Sequence, residues 1–578
     1  MYLAALVLVL LPLVLAACAP KEDAATTVPV APETTPPGLS VEEPARASFV
    51  GEVDDIVLAG TARPKSGRLT TLTVNGVEME VSAEGGTWSG EVPAVPGVNI
   101  LGSRVETADG ERAVDGRAVM AGPVHPPGAR LSHSVRMQIG PEALDDDRAD
   151  IDDLAAIAEA LLAEPGAADA LVGRSFTTED YVLTVTDASF GGTDVDLLAR
   201  SGRLDAGLDV HDVWIAFHVT GVGWYDWLET DGTAWADVAE VALSLSAAAN
   251  DGRVTTSVSE SDVNLVGYGL TVEWFPDGLE DDLADWTRED LEIQMADATS
   301  AQVQELLGGY LEAFNLESEV SGLRLHFALD TLEIATDGLR LGFDAWTEGD
   351  IGLDLPSGAG SLETAGDGPD FPLTTTAPFA IAADDDFLNQ LLFNLWASGA
   401  MSDITFGGAE LTLLVGNVPP PLGPVAETRI HVDLPPTIGP ASEKDQQVDL
   451  ALGEMRMIIT REDGVVIDAS VNVRTGATLG IDDASALGFS LDDRPSAMVL
   501  EVGMVAWPEA LDPGDVAALM RLSVPPMLGT LSALLPGYPL PSIPLDSFGL
   551  EGESLVPSDP EVRVDSGWLV VEAGLGPG

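Results

Sequence analysis

Few residues in this 578-residue chain could do covalent chemistry. Its six histidines are His125, His133, His211, His218, His326 and His431. None falls in the H-E-x-x-H spacing that sets two imidazoles and a general base on one helix face. The chain also lacks a G-x-S-x-G nucleophile elbow, a Walker loop and a Rossmann glycine fingerprint. His211 and His218 flank one strand at a separation that turns them to opposite faces, so they make poor joint metal ligands. Asp145, Asp147, Asp150 and Asp152 could offer oxygens to calcium, but their loop has neither the EF-hand spacing nor its glycine. A solvated cluster that caps a helix is the preferred reading. No enzymatic activity, no metal and no cofactor are expected. Cys18 is the only cysteine, so no disulfide forms within the chain.

The setting of Cys18 gives it a different use. Residues Leu3 to Ala17 read LAALVLVLLPLVLAA, an apolar run shorter than the about 20 residues a spanning helix needs. Ala16 and Ala17 offer small side chains for cleavage. The tetrapeptide Leu15-Ala16-Ala17-Cys18 resembles the lipobox of bacterial lipoproteins, whose cysteine thiol receives a diacylglycerol and becomes the new N-terminus. The resemblance implies that residues 1–17 are a signal peptide and that Cys18 carries lipid. It further implies an exported protein anchored to a membrane of the cell envelope. Ala19 stands where some bacteria place the aspartate that retains lipoproteins at the inner membrane, which favours the outer membrane. No other segment reads as a transmembrane helix.

Charge narrows the partners. Against 95 acidic residues stand 26 basic ones, for a formal net charge of -69. Lys21, Lys65 and Lys444 are the only lysines. Nucleic acid is excluded as a partner, because phosphate binding needs clustered cations. Anionic head groups are repelled as well. With 46% hydrophobic residues the chain is nonetheless rich enough to bury sizeable cores.

Composition and periodicity divide the chain. Residues 18–47, with TTVPVAPETTPPG, read as a disordered tether rich in Pro, Thr and Glu. Residues 48–120 carry short alternating runs and turns at Asn75-Gly76, Gly85-Gly86 and Pro96-Gly97, which argue for a small β-sandwich. The order VGEVDDIVLAGTA, LTVNGVEMEVSAEGGTWSGEVPAVPGVNIL, TADG resembles the bacterial immunoglobulin-like modules of exported proteins, which implies a spacer role. A Pro-rich joint, Gly122 to Gly128, follows.

Beyond it a pattern of helix and long strands runs twice, over residues 129–335 and 336–578. In the first pass Ile151, Leu154, Ile157, Leu161 and Leu162 recur at helical spacing. Val213, Ile215, Phe217 and Val219 alternate with Trp214, Ala216 and His218 along a strand. A second helix carries Val303, Leu306, Leu307, Tyr310, Leu311 and Phe314. In the second pass Phe387, Leu388, Leu391, Leu392, Leu395 and Trp396 make a wide apolar helix face behind the candidate caps Asp384, Asp385 and Asp386.

Three pieces of the second pass resemble the bactericidal/permeability-increasing, lipopolysaccharide-binding and cholesteryl-ester-transfer family, the TULIP proteins. They are DDDFLNQLLFNLWASGAM at 384–401, HVDLPPTI at 431–438 and PLPSIPLDSFGLEGESLVPSDPEVRVDSGWLVVEAGL at 539–575. The resemblance implies a mainly β fold with α (α+β), in which the β-sandwich precedes two elongated units. Each unit would be a curved antiparallel sheet wrapped around long helices, leaving an apolar tunnel. Lipid or another apolar small molecule is then the expected ligand, to be bound or transferred. Candidate tunnel residues are Leu154, Ile157, Leu161, Leu306 and Tyr310 in the first unit, and Phe387, Leu391, Leu392, Leu395 and Met455 in the second. Antibacterial members capture lipopolysaccharide with a cationic tip, and this chain has almost no lysine there. The expected function therefore contracts to binding or carrying lipid, with a structural or adhesive envelope lipoprotein as the alternative.

Overall fold

Side chains that alternate between core and solvent build most of the molecule. The computed structural model describes residues 38–577 apart from internal stretches, the longest being 365–376, 409–423 and most of 508–553. The fold is mostly β, in curled half-barrel sheets. No helix among the described residues is long and apolar enough to cross a membrane.

The N-terminal part holds two sheets. One runs Gly38–Glu43, Asp55–Arg63, Thr87–Pro93, Glu80–Val81, and the other Phe49–Gly51, Arg112–Ala121, Gly97–Thr107, Leu69–Val74, Val77–Glu78. Ile56, Leu58 and Trp88 of the first meet Leu72, Leu101 and Val119 of the second in one core. Asn75 and Gly76 both have positive φ, 51° and 83°, the geometry a two-residue hairpin turn demands. The tether expected to reach residue 47 ends earlier, since Gly38–Glu43 already pairs with Asp55–Arg63. Val41 is the one buried residue of that strand, so no apolar period announces it. Residues 1–37, Cys18 among them, lie outside the described residues.

This part is not a free spacer. Val98, Ile100, Ala118 and Met120 share a core with Leu434 and Ala451 of the C-terminal half. The backbones approach so closely that a Cβ on Gly116 would stand 2.8 Å from the Val502 backbone, which is why glycine sits there. Glu454, fully buried, anchors the contact. Its carboxylate accepts from Arg46 Nη1 at 3.2 Å, from the Ala118 backbone N–H at 2.7 Å and from Ser470 Oγ at 2.7 Å. Arg46 also bonds Asp115, which is held by Arg117 at 2.9 Å. Burial pushes the Glu454 carboxyl up, and Arg46 and these donors oppose that shift.

Three larger sheets follow. The first joins Ser175–Thr177, Tyr181–Ser189, Arg203–Gly221, Glu229–Asn250 and Arg253–Val266, with Gly192–Arg200 and Gly269–Val272 paired alongside. The central sheet runs Leu316–Val320, Leu323–Ala335, Gly338–Gly349, Leu131–Ile139, Phe379–Asp384, Trp568–Pro577, Ser554–Asp565, Ile543–Pro544. The third is built on Val425–Val432, Val448–Arg461 and Val466–Ile481. The division at 335/336 thus falls in a hairpin turn between two paired strands. Gly338, at φ 122°, opens the second of these strands opposite Ala335. A single apolar core runs through all three sheets.

The helix Asp385–Ala397 lies inside this core with every residue from Phe387 to Ala397 buried. Asp384 caps it by accepting from the Asp386 N–H at 2.9 Å. Burial, with Asp385 alongside, pushes the Asp384 carboxyl well above the usual carboxylate range. Its buried polar side chains are bonded to the surrounding sheets. Asn389 exchanges bonds with the Ile438 backbone at 2.8 and 3.1 Å, Gln390 accepts from Thr347 N–H at 2.8 Å, and Trp396 Nε1 donates to Val432 O at 2.7 Å. A helix satisfied this completely on all sides is a fixed core element.

Candidate functional site

The first large sheet presents a different kind of interior. Along Arg203–Gly221, Val213, Ile215, Phe217 and Val219 are at most 3% exposed, while Trp214, Ala216 and His218 face outward. A long helix, Glu280–Glu312, packs chiefly on the strand Arg253–Val266 of this sheet, with Leu291 and Met295 facing Val213 and Ile215 across a small recess. Leu283, Thr287, Leu291 and Met295 recur every fourth residue on its buried side, and Asp285, Glu289, Ile293 and Asp297 are exposed on the other.

The helix does not close fully on the sheet. An open recess of about 50 Å³ is lined by Phe190, Leu208, Val210, Met295, Ala298 and Val303, with Thr193, Thr299 and Gln302 supplying polar edges. A smaller one, about 10 Å³, lies between Ile215, Ala236, Leu265, Tyr268, Leu291 and Met295. Met295 borders both, so the two form one interrupted slot beneath the helix. A water needs roughly 10–15 Å³ of such space. The slot therefore has room for a few waters and is too small for an acyl chain.

The seat of this helix is less complete than that of the buried one. The hydroxyls of Thr287, Ser300 and Tyr268 are buried without a hydrogen-bond partner, each at a cost of about 1–3 kcal/mol. Burial drives the Tyr268 hydroxyl pKa upward, so it stays protonated. Polar ties to the sheet include Leu265 N–H to Glu292 at 3.1 Å and Gln304 Nε2 to Thr256 O at 2.6 Å. Adjacent glycines, Gly308 and Gly309, sit near its C-terminal end, where each weakens helix by about 1 kcal/mol.

The sequence-derived ligand residues divide between these settings. Phe387, Leu391, Leu392, Leu395 and Met455 are core residues, at most 7% exposed, and border neither recess. Ile157 is buried against Leu555 with Leu154 packed alongside, on a helix whose Glu159 accepts from Val195 N–H at 2.8 Å. Their neighbour Leu162 reaches the slot. The side chains of Leu161, Leu306 and Tyr310 lie outside the described residues, although Val303 of the same helix lines the slot. Sequence reasoning missed Phe190, in the turn after Tyr181–Ser189, the strand residues Leu208 and Val210 and the helix residues Leu291 and Met295. Their alternation and fourfold spacing were available signals, but these do not distinguish core from ligand wall.

The acidic loop is occupied by its own structure. Asp153 accepts from Ala156 N–H at 2.7 Å and Asp146 N–H at 2.8 Å, heading the helix Leu154–Leu162. Burial pushes its carboxyl up to about 6. Asp145 and Asp147 approach Asp196, while Asp152 approaches Asp146 and Asp153; Asp150 lies outside the described residues. His211 and His218 bond different carboxylates, Asp194 at 2.9 Å and Asp231 at 2.7 Å.

No family model matches the chain, and no curated protein does. Among solved structures it is similar to a lipopolysaccharide binding protein, at 13% identity over 78% of this chain and 99% of that one, with a TM-score of 0.39. It is also similar to P47 of Clostridium botulinum E1, at 9% identity over 77% and 100% of the two chains, with a TM-score of 0.26. Likenesses this distant fix neither family nor ligand.

Proposed function

We propose that this chain is an exported, lipid-anchored envelope protein that binds lipid or another apolar molecule beneath the helix Glu280–Glu312. The supporting observation is the contrast between two helices. Asp385–Ala397 is sealed and fully bonded, whereas Glu280–Glu312 leaves an apolar slot and three unpartnered hydroxyls at its seat. Lifting it would expose a dry face of Leu, Val, Phe and Met, where each buried CH₂ contributes about 0.8 kcal/mol. Binding rather than catalysis is the role, and anchoring through Cys18, on the outer membrane, would keep the ligand beside a bilayer. Transfer between membranes is an extension of the same activity.

The resting volume of the slot favours a second reading, a structural or adhesive envelope protein with no ligand. Organic extraction of the chain expressed from Ala19, followed by mass spectrometry, separates the two. Phospholipid or another apolar compound is expected near one equivalent, and Ala298→Trp, whose indole overfills the resting slot at a cost of about 1–3 kcal/mol, should lower the lipid carried per folded molecule severalfold. An empty extract from the unsubstituted chain leaves only the scaffold.

A further inference from the structure

The end of the first large sheet exposes tryptophan. Trp224 and Trp227 occupy the link between the strands Arg203–Gly221 and Glu229–Asn250, and Trp274 follows Gly269–Val272. They are 92%, 67% and 93% exposed. Hydrogen bonds tie the segments together: Gly221 N–H to Leu228 O at 2.8 Å, Glu273 N–H to Asp231 O at 3.0 Å, and Thr230 Oγ1 to Glu273 O at 2.5 Å. Trp274 holds a φ of 56°, a region bulky residues rarely adopt. Around the rings stand the exposed carboxylates Asp226, Glu229, Asp231 and Glu273.

We propose that this end docks on a bilayer surface of zwitterionic phospholipid. Tryptophan rings favour the head-group level, where an apolar body and a polar N–H both find their medium. Quaternary ammonium groups are drawn to tryptophan faces and to carboxylates alike. An anionic surface meets repulsion from the same carboxylates. A protein partner fits less well, because carboxylates interrupt the rings and leave no charge-depleted interface core. Ala234, which lines the smaller recess, lies about 17 Å along its strand from Glu229 at ~3.4 Å per residue. Docking would therefore bring the slot near lipid, although the proposal does not depend on the slot being filled.

The test uses the chain from Ala19, which keeps every described residue, with vesicles of phosphatidylcholine or phosphatidylglycerol in a sedimentation assay. Binding to phosphatidylcholine should exceed binding to phosphatidylglycerol. The double variant Trp224→Ala, Trp274→Ala should bind phosphatidylcholine vesicles roughly tenfold more weakly, about 1.4 kcal/mol, with an unchanged unfolding midpoint. Equal binding by the variant, a preference for phosphatidylglycerol, or no vesicle binding overturns the proposal; so does tryptophan-dependent dimerisation without vesicle binding. Extracted lipid is measured on the same preparations. Lost docking with retained slot lipid is the expected signature of the variant, while an empty slot with intact docking would sink only the ligand reading.

Discussion

Glu454→Ala is expected to destabilise the protein by about 3–5 kcal/mol, the usual consequence of removing one partner from a buried ion pair. Glu454 is fully buried, and its loss strands the Ala118 N–H and the Ser470 hydroxyl and leaves Arg46 with Asp115 and the Gly116 carbonyl. The damage falls on the seam that joins the N-terminal sheets to the C-terminal half. Denaturant unfolding should show the loss, and limited proteolysis should open the joint around residues 122–128. Glu454→Gln retains an acceptor for Ala118 and should cost less. A change below about 0.5 kcal/mol for the alanine variant would show that the two parts are not held by this contact.

Phe387→Ala should cost a similar amount, about 3–5 kcal/mol, without changing the lipid carried. Its ring is fully buried and meets Phe327 edge-on, with centroids 5.6 Å apart. The helix around it is bonded at Asn389, Gln390 and Trp396, so the site has little freedom to collapse around the void. Extracted lipid per folded molecule should match the unsubstituted chain. A severalfold fall would return the second half to the ligand site.

Period-two strands were legible in the sequence because one residue in two must turn inward. The alternation from Val213 to Val219 set Val213, Ile215, Phe217 and Val219 on one face, and the structure buries that face. The helix Asp385–Ala397 was legible for the same reason, since a wide apolar face behind a run of aspartates admits few other structures. How its polar side chains would be satisfied was not legible. That rests on Asn389 and Gln390 meeting Ile438 and Thr347, on strands distant in sequence. The N-terminal half of Glu280–Glu312 escaped notice because Leu283, Leu291 and Met295 are widely spaced among Asp and Glu. The docking of the N-terminal sheets left one trace, the carboxylate of Glu454 inside an apolar strand. There the register shifts between Leu452 and Met455 and Glu454 takes φ 49°, as a bulge does when it re-aims a side chain.

Photolabelling addresses the slot most directly. A fatty acid bearing a diazirine near the end of its chain is bound to the protein expressed from Ala19, irradiated, and its adducts mapped by peptide mass spectrometry. Adducts should concentrate on peptides containing Leu208, Val210, Met295 and Val303, and decline when Ala298→Trp fills the slot. Labelling of the Phe387 to Trp396 peptide instead, or adducts spread over the surface and indifferent to Ala298→Trp, would contradict a ligand site beneath the long helix.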